Sequence, residues 1–255
     1  MSVAIRTARV AAALLATAAL TLGPLAAPAA ASGPADPLFE QPPPGTANFT
    51  GKWAMPKHIT RLLTSDGHEP PLNEKGQAEY AKRRAALKAG DHSIDPISRC
   101  WMHGVPRLLY APYPFLILQT TRSVDFVHEV NHTFRIIYWD KTLPEDPDPL
   151  WLGSSIARLD GNTLIVDTIG FNDMTWLDRA GNYHSGSMKV TERLTLENEN
   201  TIRYSATIDD PEVFSRPWTI SMPLYRRLEP NAEVLEFKCV PFVEELLYKD
   251  LEQSH

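Results

Sequence analysis

The sequence is short of cysteine, of glycine and of basic residues, and each shortage excludes a class of protein. Two cysteines in 255 residues are too few for a disulfide-rich scaffold, and 13 glycines without a repeat exclude a collagen-like chain. Lys and Arg number 25 against 31 Asp and Glu, which gives a net charge of −6. Proteins that follow a nucleic-acid backbone normally carry a basic excess or a basic stripe. We therefore expect no nucleic-acid partner.

The motifs of common cofactor sites are missing as well. The sequence has no phosphate-cradling glycine loop, no dinucleotide-binding fingerprint and no G-x-S-x-G nucleophile elbow. We accordingly expect no organic cofactor and assign no metal ligands. A hydrophobic content of 43% with 22% charged residues is typical of a folded globular chain.

The first thirty-one residues have the pattern of a Sec-type signal peptide. Arg6 and Arg9 precede the apolar run Val10–Leu22, and small residues follow in Ala26–Ala31. The run is shorter than the roughly 20 apolar residues of a spanning helix, and an uncleaved anchor is the alternative. Cleavage would remove two arginines and no acidic residue, leaving a charge of −8. We expect a periplasmic or secreted protein without stable membrane insertion after cleavage.

Beyond the signal peptide the sequence predicts one domain. Residues 32–48 contain five prolines and are interpreted as an extended Pro-rich leader. No later segment has the composition of a flexible linker, so residues 49–255 are assigned to a single domain. The oligomeric state is left open.

Helical periodicity predicts helices only near the two ends of this domain, over Asn73–Ala89 and Val243–Leu251. Between them the apolar residues recur with period two, and tight turns such as Asp160–Asn162 separate the segments. The sequence thus predicts an all-β, mainly antiparallel fold: a lipocalin-like up-and-down barrel or a strongly curved meander sheet. The predicted strands are Phe115–Thr121, Val124–Val130, Phe134–Trp139, Ser155–Leu159, Thr163–Ile169, Ser187–Leu196, Thr201–Ile208, Pro217–Tyr225 and Val234–Val240.

The two cysteines, Cys100 and Cys239, predict a disulfide if the protein is exported to an oxidising compartment. Two alternatives stay open. The cysteines are free and buried, or Cys100 and His103 in a C-x-x-H spacing form half of a zinc site.

Residues His128–His132 match the zinc-protease motif H-E-x-x-H letter for letter. That motif requires a helix, which places its two histidines on one face. The flanking residues are strand-forming, and four residues of strand span roughly 13 Å, too far for one metal ion. We interpret the match as coincidence, with a hairpin turn at Asn131–Thr133 and Glu129 opposite Arg135 as a cross-strand ion pair.

Four predicted strands place an ionisable residue on the same face as apolar ones. If these faces line the barrel, its interior contains His128, Arg135, Asp167 and Glu192. Burying four such groups is unfavourable unless they pair or form hydrogen bonds. One interpretation is a structural network in which Arg135 and His128 pair with Glu192 and Asp167. The other is a ligand-facing acid–base cluster with displaced pKa values.

The long segment Gly170–Gly186 contains Asp173, Asp178 and His184 beside Trp176. Loops at the mouth of a barrel often carry function, so these side chains are candidates to hold a metal ion or a catalytic water. The alternative is that they are turn and capping residues.

Several motifs in order resemble a large group of exported bacterial proteins. They follow the pattern W-x-G-x-S-I, G-x-T-L-x-V-D-T-x-G-F, E-R and D-P, here at Trp151–Ile156, Gly161–Phe171, Glu192–Arg193 and Asp210–Pro211. The resemblance implies export and a β-rich fold, and it implies no activity. This chain departs from the group at His103, Leu159, Asn162 and in the tail after Cys239. The candidate residues that fit the group's pattern are Arg107, Glu129, Arg135, Asp167, His184 and Glu192.

These observations lead to a hypothesis of an exported barrel that binds a small apolar or aromatic molecule in its interior. Any catalysis would be cofactor-independent acid–base chemistry of an isomerase, cyclase, lyase or hydrolase type. Glu192 or Asp167 would be the base, Arg135 the oxyanion or carboxylate partner, and His184 the acid. The alternatives are a non-catalytic periplasmic carrier and a metal-dependent hydrolase built on His184, Asp173 and Asp178. The candidate ligand contacts are His128, Glu129, Arg107, Trp139 and Trp176.

Overall fold

Nine β-strands dominate the fold, and most of them coincide with segments of alternating apolar residues. The computed structural model describes residues 42–43, 45–57, 59–139 and 141–241, all within one compact unit, Asp36–His255. The strands are β1 (Gly51–Ala54), β2 (Phe115–Gln119), β3 (Ser123–His128), β4 (Phe134–Tyr138), β5 (Ser154–Asp160), β6 (Thr163–Ile169), β7 (Lys189–Asn198), β8 (Thr201–Asp209) and β9 (Trp218–Arg226).

The strands form one antiparallel sheet in the order β4-β3-β2-β1-β9-β8-β7-β6-β5. β1 pairs with both β2 and β9, so the first and last strands are neighbours. The sheet curls into a nearly closed barrel, whose two edges are β4 and β5. The predicted all-β barrel is confirmed, and every pair of neighbours other than β1–β9 is also consecutive along the chain.

Two details of the strand prediction are wrong. The sequence does not predict β1, a strand of four residues in which only Trp53 is buried. The strand predicted at Val234–Val240 is absent from the described residues. There Phe237 forms only an isolated parallel bridge with Val130, just beyond the end of β3, and the segment adds no strand to the sheet.

The long helix α1 (Glu74–Lys88) agrees with the helix predicted over Asn73–Ala89. The Asn73 side chain caps it by accepting a hydrogen bond from the Gly76 amide at 2.8 Å. No helix among the described residues is long and apolar enough to span a membrane. The predicted signal peptide, most of the Pro-rich leader and the predicted helix Val243–Leu251 lie outside the described residues.

Inward-facing residues of all nine strands meet in one hydrophobic core, as alternation along a strand requires. Aromatic side chains supply a large part of its volume, and aliphatic side chains fill the space between them. The fully buried aromatic residues of the core include Phe49, Trp53, Phe115, Phe126 and Tyr204.

A disulfide joins Cys100 to Cys239, with their Cα atoms 5.5 Å apart, and this prediction is confirmed. Both alternatives for these sulfurs, free thiols and half of a zinc site, are thereby excluded. The bond closes a loop of 139 residues. In the chain-entropy model a loop of that length stabilises the fold by about 5 kcal/mol.

Candidate functional site

A buried ion pair connects opposite sides of the gap between β4 and β5. Arg135 on β4 donates from Nη1 to Glu192 Oε2 on β7 at 2.6 Å. Its Nη2 donates to Ser155 Oγ on β5 at 3.0 Å and to Thr168 Oγ1 on β6 at 2.7 Å. The Tyr204 hydroxyl on β8 donates to Glu192 Oε1 at 2.9 Å. We call Arg135, Ser155, Thr168, Glu192 and Tyr204 the seam network.

The seam network satisfies both charges inside an apolar barrel. Arg135 and Glu192 side chains are 4% and 1% exposed, so an unpaired charge at either position would be strongly unfavourable. Both oxygens of Glu192 accept a hydrogen bond, and Arg135 reaches the edge strand β5 across the gap. Of the two interpretations for the interior charges, the structure supports the structural network for this pair.

The predicted cross-strand pair between Glu129 and Arg135 is wrong. Arg135 lies opposite Phe126 in the β3–β4 register, and Glu129 lies beyond the end of β3. Glu129 Oε2 instead accepts a hydrogen bond from the Leu235 amide at 3.0 Å. The turn at Asn131 and His132 has positive φ values of 52° and 48°, which are typical of a tight hairpin connection. The H-E-x-x-H segment is therefore strand and turn, without the helix that a zinc protease requires.

His128 is buried among aromatic rings at the end of β3. Its imidazole stacks on Phe115 with ring centroids 5.0 Å apart and lies 6.4 Å from the Phe126 ring. Burial, together with the positive charge of Arg135, lowers the pKa of His128 to about 3. The ring is consequently neutral at physiological pH, and its Nε2 has no hydrogen-bond partner among the described residues.

Three further buried polar atoms near His128 or the seam network also lack a partner within the described residues: His103 Nδ1, Tyr110 Oη and Arg135 Nε. A positive charge on His103 would lower the pKa of His128, and a negative charge on Tyr110 would raise the pKa of Tyr204. The two members of each pair therefore lie close enough to interact electrostatically. Burial and the charge of Arg107 lower the pKa of His103 to about 3. We call His103 Nδ1, Tyr110 Oη, His128 Nε2 and Arg135 Nε the unpaired interior atoms.

The prediction that Asp167 faces the interior is wrong. On β6 the inward residues are Leu164, Val166 and Thr168, and Asp167 lies on the outer face. Its carboxylate pairs with Arg158 and accepts a hydrogen bond from Thr191 Oγ1 at 2.7 Å. Burial raises the pKa of Asp167, but these hydrogen bonds outweigh it and keep the pKa below its usual value.

The candidates from segment 170–186 have structural partners. His184 is buried; its Nδ1 donates to the Ser185 carbonyl at 2.9 Å, so its Nε2 accepts from Thr175 Oγ1 at 2.7 Å. Asp178, also buried, accepts from the amides of Leu62, Ala180 and Asn182. Burial lowers the pKa of His184 and raises that of Asp178. Asp173 is exposed.

His184, Asp173 and Asp178 do not converge on one point. Among the described residues, no three His, Cys, Asp or Glu side chains form a group that could hold a metal ion. The alternative interpretation of these residues as turn and capping groups agrees with the hydrogen bonds of Asp178 to three backbone amides.

The three remaining residues that were predicted to contact a ligand interact with protein groups that are not among the unpaired interior atoms. Arg107 forms a bidentate ion pair with Asp95 at 3.0 and 2.8 Å. Trp139 donates from Nε1 to the Thr120 carbonyl at 2.9 Å. Trp176 is buried, and the Arg83 guanidinium carbon lies over its indole, 5.6 Å from the ring centroid.

Sequence reasoning missed Tyr110 and Tyr204 as interior polar groups. A signal existed for Tyr204, which alternates with Ile202, Ala206 and Ile208 on the inward face of β8. Tyr110 closes the buried 3₁₀ turn Arg107–Tyr110, whose residues are all buried. Because all four residues are buried, the sequence of this turn shows no alternation of apolar and polar residues from which an inward side could be predicted.

An open cleft of about 570 Å³ lies on the surface beside the C-terminal half of α1. Four basic side chains and two apolar ones line it: Arg84, Lys88, His92, Arg179, Ala85 and Leu87. Sequence reasoning did not identify this cleft because Arg179 is remote from α1 along the chain.

Two comparisons with known proteins return no match: no family model matches the sequence, and no curated protein matches it.

Proposed function

We propose that this protein is an exported binding protein that holds a small, mainly apolar or aromatic molecule inside its barrel. The ligand's polar atom would meet the unpaired interior atoms, and its body would lie against the surrounding aromatic rings. Membership in the exported bacterial group that the motifs resemble is part of the same proposal.

The observation that carries the proposal is the set of unpaired interior atoms. A buried donor or acceptor without a partner costs about 1–3 kcal/mol, and a ligand that supplies the partner would recover this free energy on binding. Here His128 Nε2 and Arg135 Nε lie in the same interior, among rings of the core. A ligand oxygen, alone or through a water molecule, would supply the missing partner.

The chemistry of these atoms specifies the polar group of the ligand. Arg135 Nε can only donate a hydrogen bond, so the group must accept one. The charge of Arg135 is already balanced by Glu192 at 2.6 Å. A carboxylate on the ligand would be a second buried negative charge without a counter-ion, which is unfavourable. A neutral carbonyl or hydroxyl oxygen therefore fits better.

Binding is favoured over acid–base catalysis because the proposed catalytic groups are already engaged. Both carboxylate oxygens of Glu192 accept hydrogen bonds, both ring nitrogens of His184 are bonded, and Asp167 lies outside the barrel. A general base needs a free acceptor within reach of its substrate. The carrier hypothesis therefore has more support than the isomerase, cyclase, lyase or hydrolase types.

Export to the periplasm or beyond is supported by the Cys100–Cys239 disulfide, since structural disulfides persist mainly in oxidising compartments. The signal-peptide pattern of residues 1–31 agrees with this location. Amino-terminal sequencing of the protein from the periplasmic fraction tests it, and a mature start near Ser32 is expected.

Titration with Prodan, a neutral naphthalene ketone whose fluorescence reports its surroundings, tests the binding site. We expect saturable one-to-one binding with a blue-shifted emission. His128→Phe preserves an aromatic ring and removes one unpaired nitrogen, so it should weaken binding about tenfold, the equivalent of one hydrogen bond.

Arg158→Gln, on the outer face of the barrel, is the matched control and should bind Prodan like the wild type. Absence of saturable binding, or equal binding by all three proteins, would contradict the proposed site. Consumption of Prodan or of a co-purified ligand would instead favour the catalytic alternative.

A further inference from the structure

We infer that the cleft beside α1 is a second, separate binding site, which takes an anion of the phosphate class. We call Arg84, Lys88, His92 and Arg179 the basic cleft. Its volume of about 570 Å³ is within the range of small-molecule sites. The inference does not depend on the proposed ligand of the barrel interior.

The charge of the basic cleft contrasts with that of the whole chain. Acidic residues outnumber basic ones by six in the sequence, yet no acidic side chain is among the residues that line the cleft. Within the described part of the chain, none of the ion pairs includes Arg84, Lys88 or Arg179. Their positive charges are therefore available to an external anion.

Helix α1 places two of these charges on one face. Arg84 and Lys88 are four residues apart, and like charges at that spacing repel each other. Lys88 lies in the last helical turn, where a cation interacts favourably with the helix dipole. Arg84 lies outside the last turn and does not gain this dipole interaction. An anion between the Arg84 and Lys88 side chains would relieve the repulsion between them.

Arg179 comes from the other side of the cleft, in the segment between β6 and β7. Two arginines from separate elements offer planar donors that match phosphate oxygens in bidentate geometry. Leu87 and Ala85 add an apolar surface beside them. This combination fits a free phosphate compound or the phosphate headgroup of a lipid.

Isothermal titration calorimetry with pyrophosphate tests the free-anion source, and sedimentation with phosphatidylglycerol vesicles tests the lipid source. Phosphatidylcholine vesicles, which carry no net charge, are the reference for the second experiment. We expect binding in at least one experiment, and it should weaken when NaCl rises from 50 to 200 mM.

Arg84→Gln/Arg179→Gln should weaken that binding about tenfold or more, because charge-assisted hydrogen bonds are lost. Arg122→Gln/Lys189→Gln removes the same charge from exposed positions elsewhere and should have little effect. Prodan binding in the barrel should be unchanged in both double variants. The inference is overturned if neither probe binds, or if the two double variants weaken binding equally.

Discussion

Arg135 Nη1 and Glu192 Oε2 lie 2.6 Å apart inside the barrel, and they join β4 to β7 across the gap between β4 and β5, the two edge strands of the described sheet. Since β4 and β5 have no ladder between them, side chains connect the two edges. Arg135 makes this connection directly through Ser155. The ion pair is thus part of what closes the barrel.

Arg135→Met should destabilise the protein by about 3–5 kcal/mol, because it leaves Glu192 buried without its counter-ion. Urea unfolding at pH 7 measures the loss. Arg135→Met/Glu192→Met should be more stable than Arg135→Met alone, since it also removes the buried, unpaired carboxylate of Glu192. If the double variant is as unstable as the sum of the two single variants, the pair is not coupled as described.

His128→Phe should separate stability from binding. Replacing a buried, unpaired imidazole by an apolar ring of similar shape should stabilise the ligand-free protein by about 1 kcal/mol, while it weakens Prodan binding. Thermal unfolding with and without Prodan measures both effects. A variant that is less stable and binds Prodan normally would indicate that His128 has a partner in the folded protein.

Stability should fall as the pH drops from 7 to 5. The folded-state pKa values of His103 and His128 are lowered to about 3 from 6.5, so the unfolded chain binds more protons in this window. Stability therefore rises with pH between these values, and each histidine contributes about 2 kcal/mol to the difference between pH 5 and pH 7.

Urea unfolding at the two pH values measures this difference. His128→Phe should reduce it by about 2 kcal/mol, and Arg158→Gln should leave it near the wild-type value. An identical pH dependence in wild type and His128→Phe would show that His128 is not held neutral by burial.

Reduction of the Cys100–Cys239 disulfide should lower the free energy of unfolding by about 2–5 kcal/mol, because it releases a loop of 139 residues. Unfolding with and without a phosphine reductant measures the change. Cys239→Ser should resemble the reduced protein and be insensitive to the reductant. Equal stability of oxidised and reduced protein would contradict a role for the disulfide in stability.

The sequence predicts most of the barrel because period-two alternation is a local property of each strand. It fails at β1, where Gly51 and Lys52 interrupt the pattern and only Trp53 is buried. It also fails at Val234–Val240, which has strand composition but lies mostly exposed against the end of β3.

The candidate site is predictable only where one face of a strand is clearly apolar. His128 and Glu192 alternate with buried residues, and both face inward as expected. On β6 both faces contain apolar residues, so periodicity cannot decide the direction of Asp167. Arg135 pairs with Glu192, one of the two carboxylates that the structural interpretation offered it, because alternation places both side chains on the inward face.

Native mass spectrometry of the protein, purified from its own cells without organic solvent, shows whether the barrel holds a ligand. We expect a one-to-one adduct of a neutral, mainly apolar molecule that contains a carbonyl or hydroxyl oxygen. The adduct should be depleted in His128→Phe and retained in Arg158→Gln. A mass equal to the polypeptide alone, under conditions that preserve the fold, would show that the barrel interior holds no ligand.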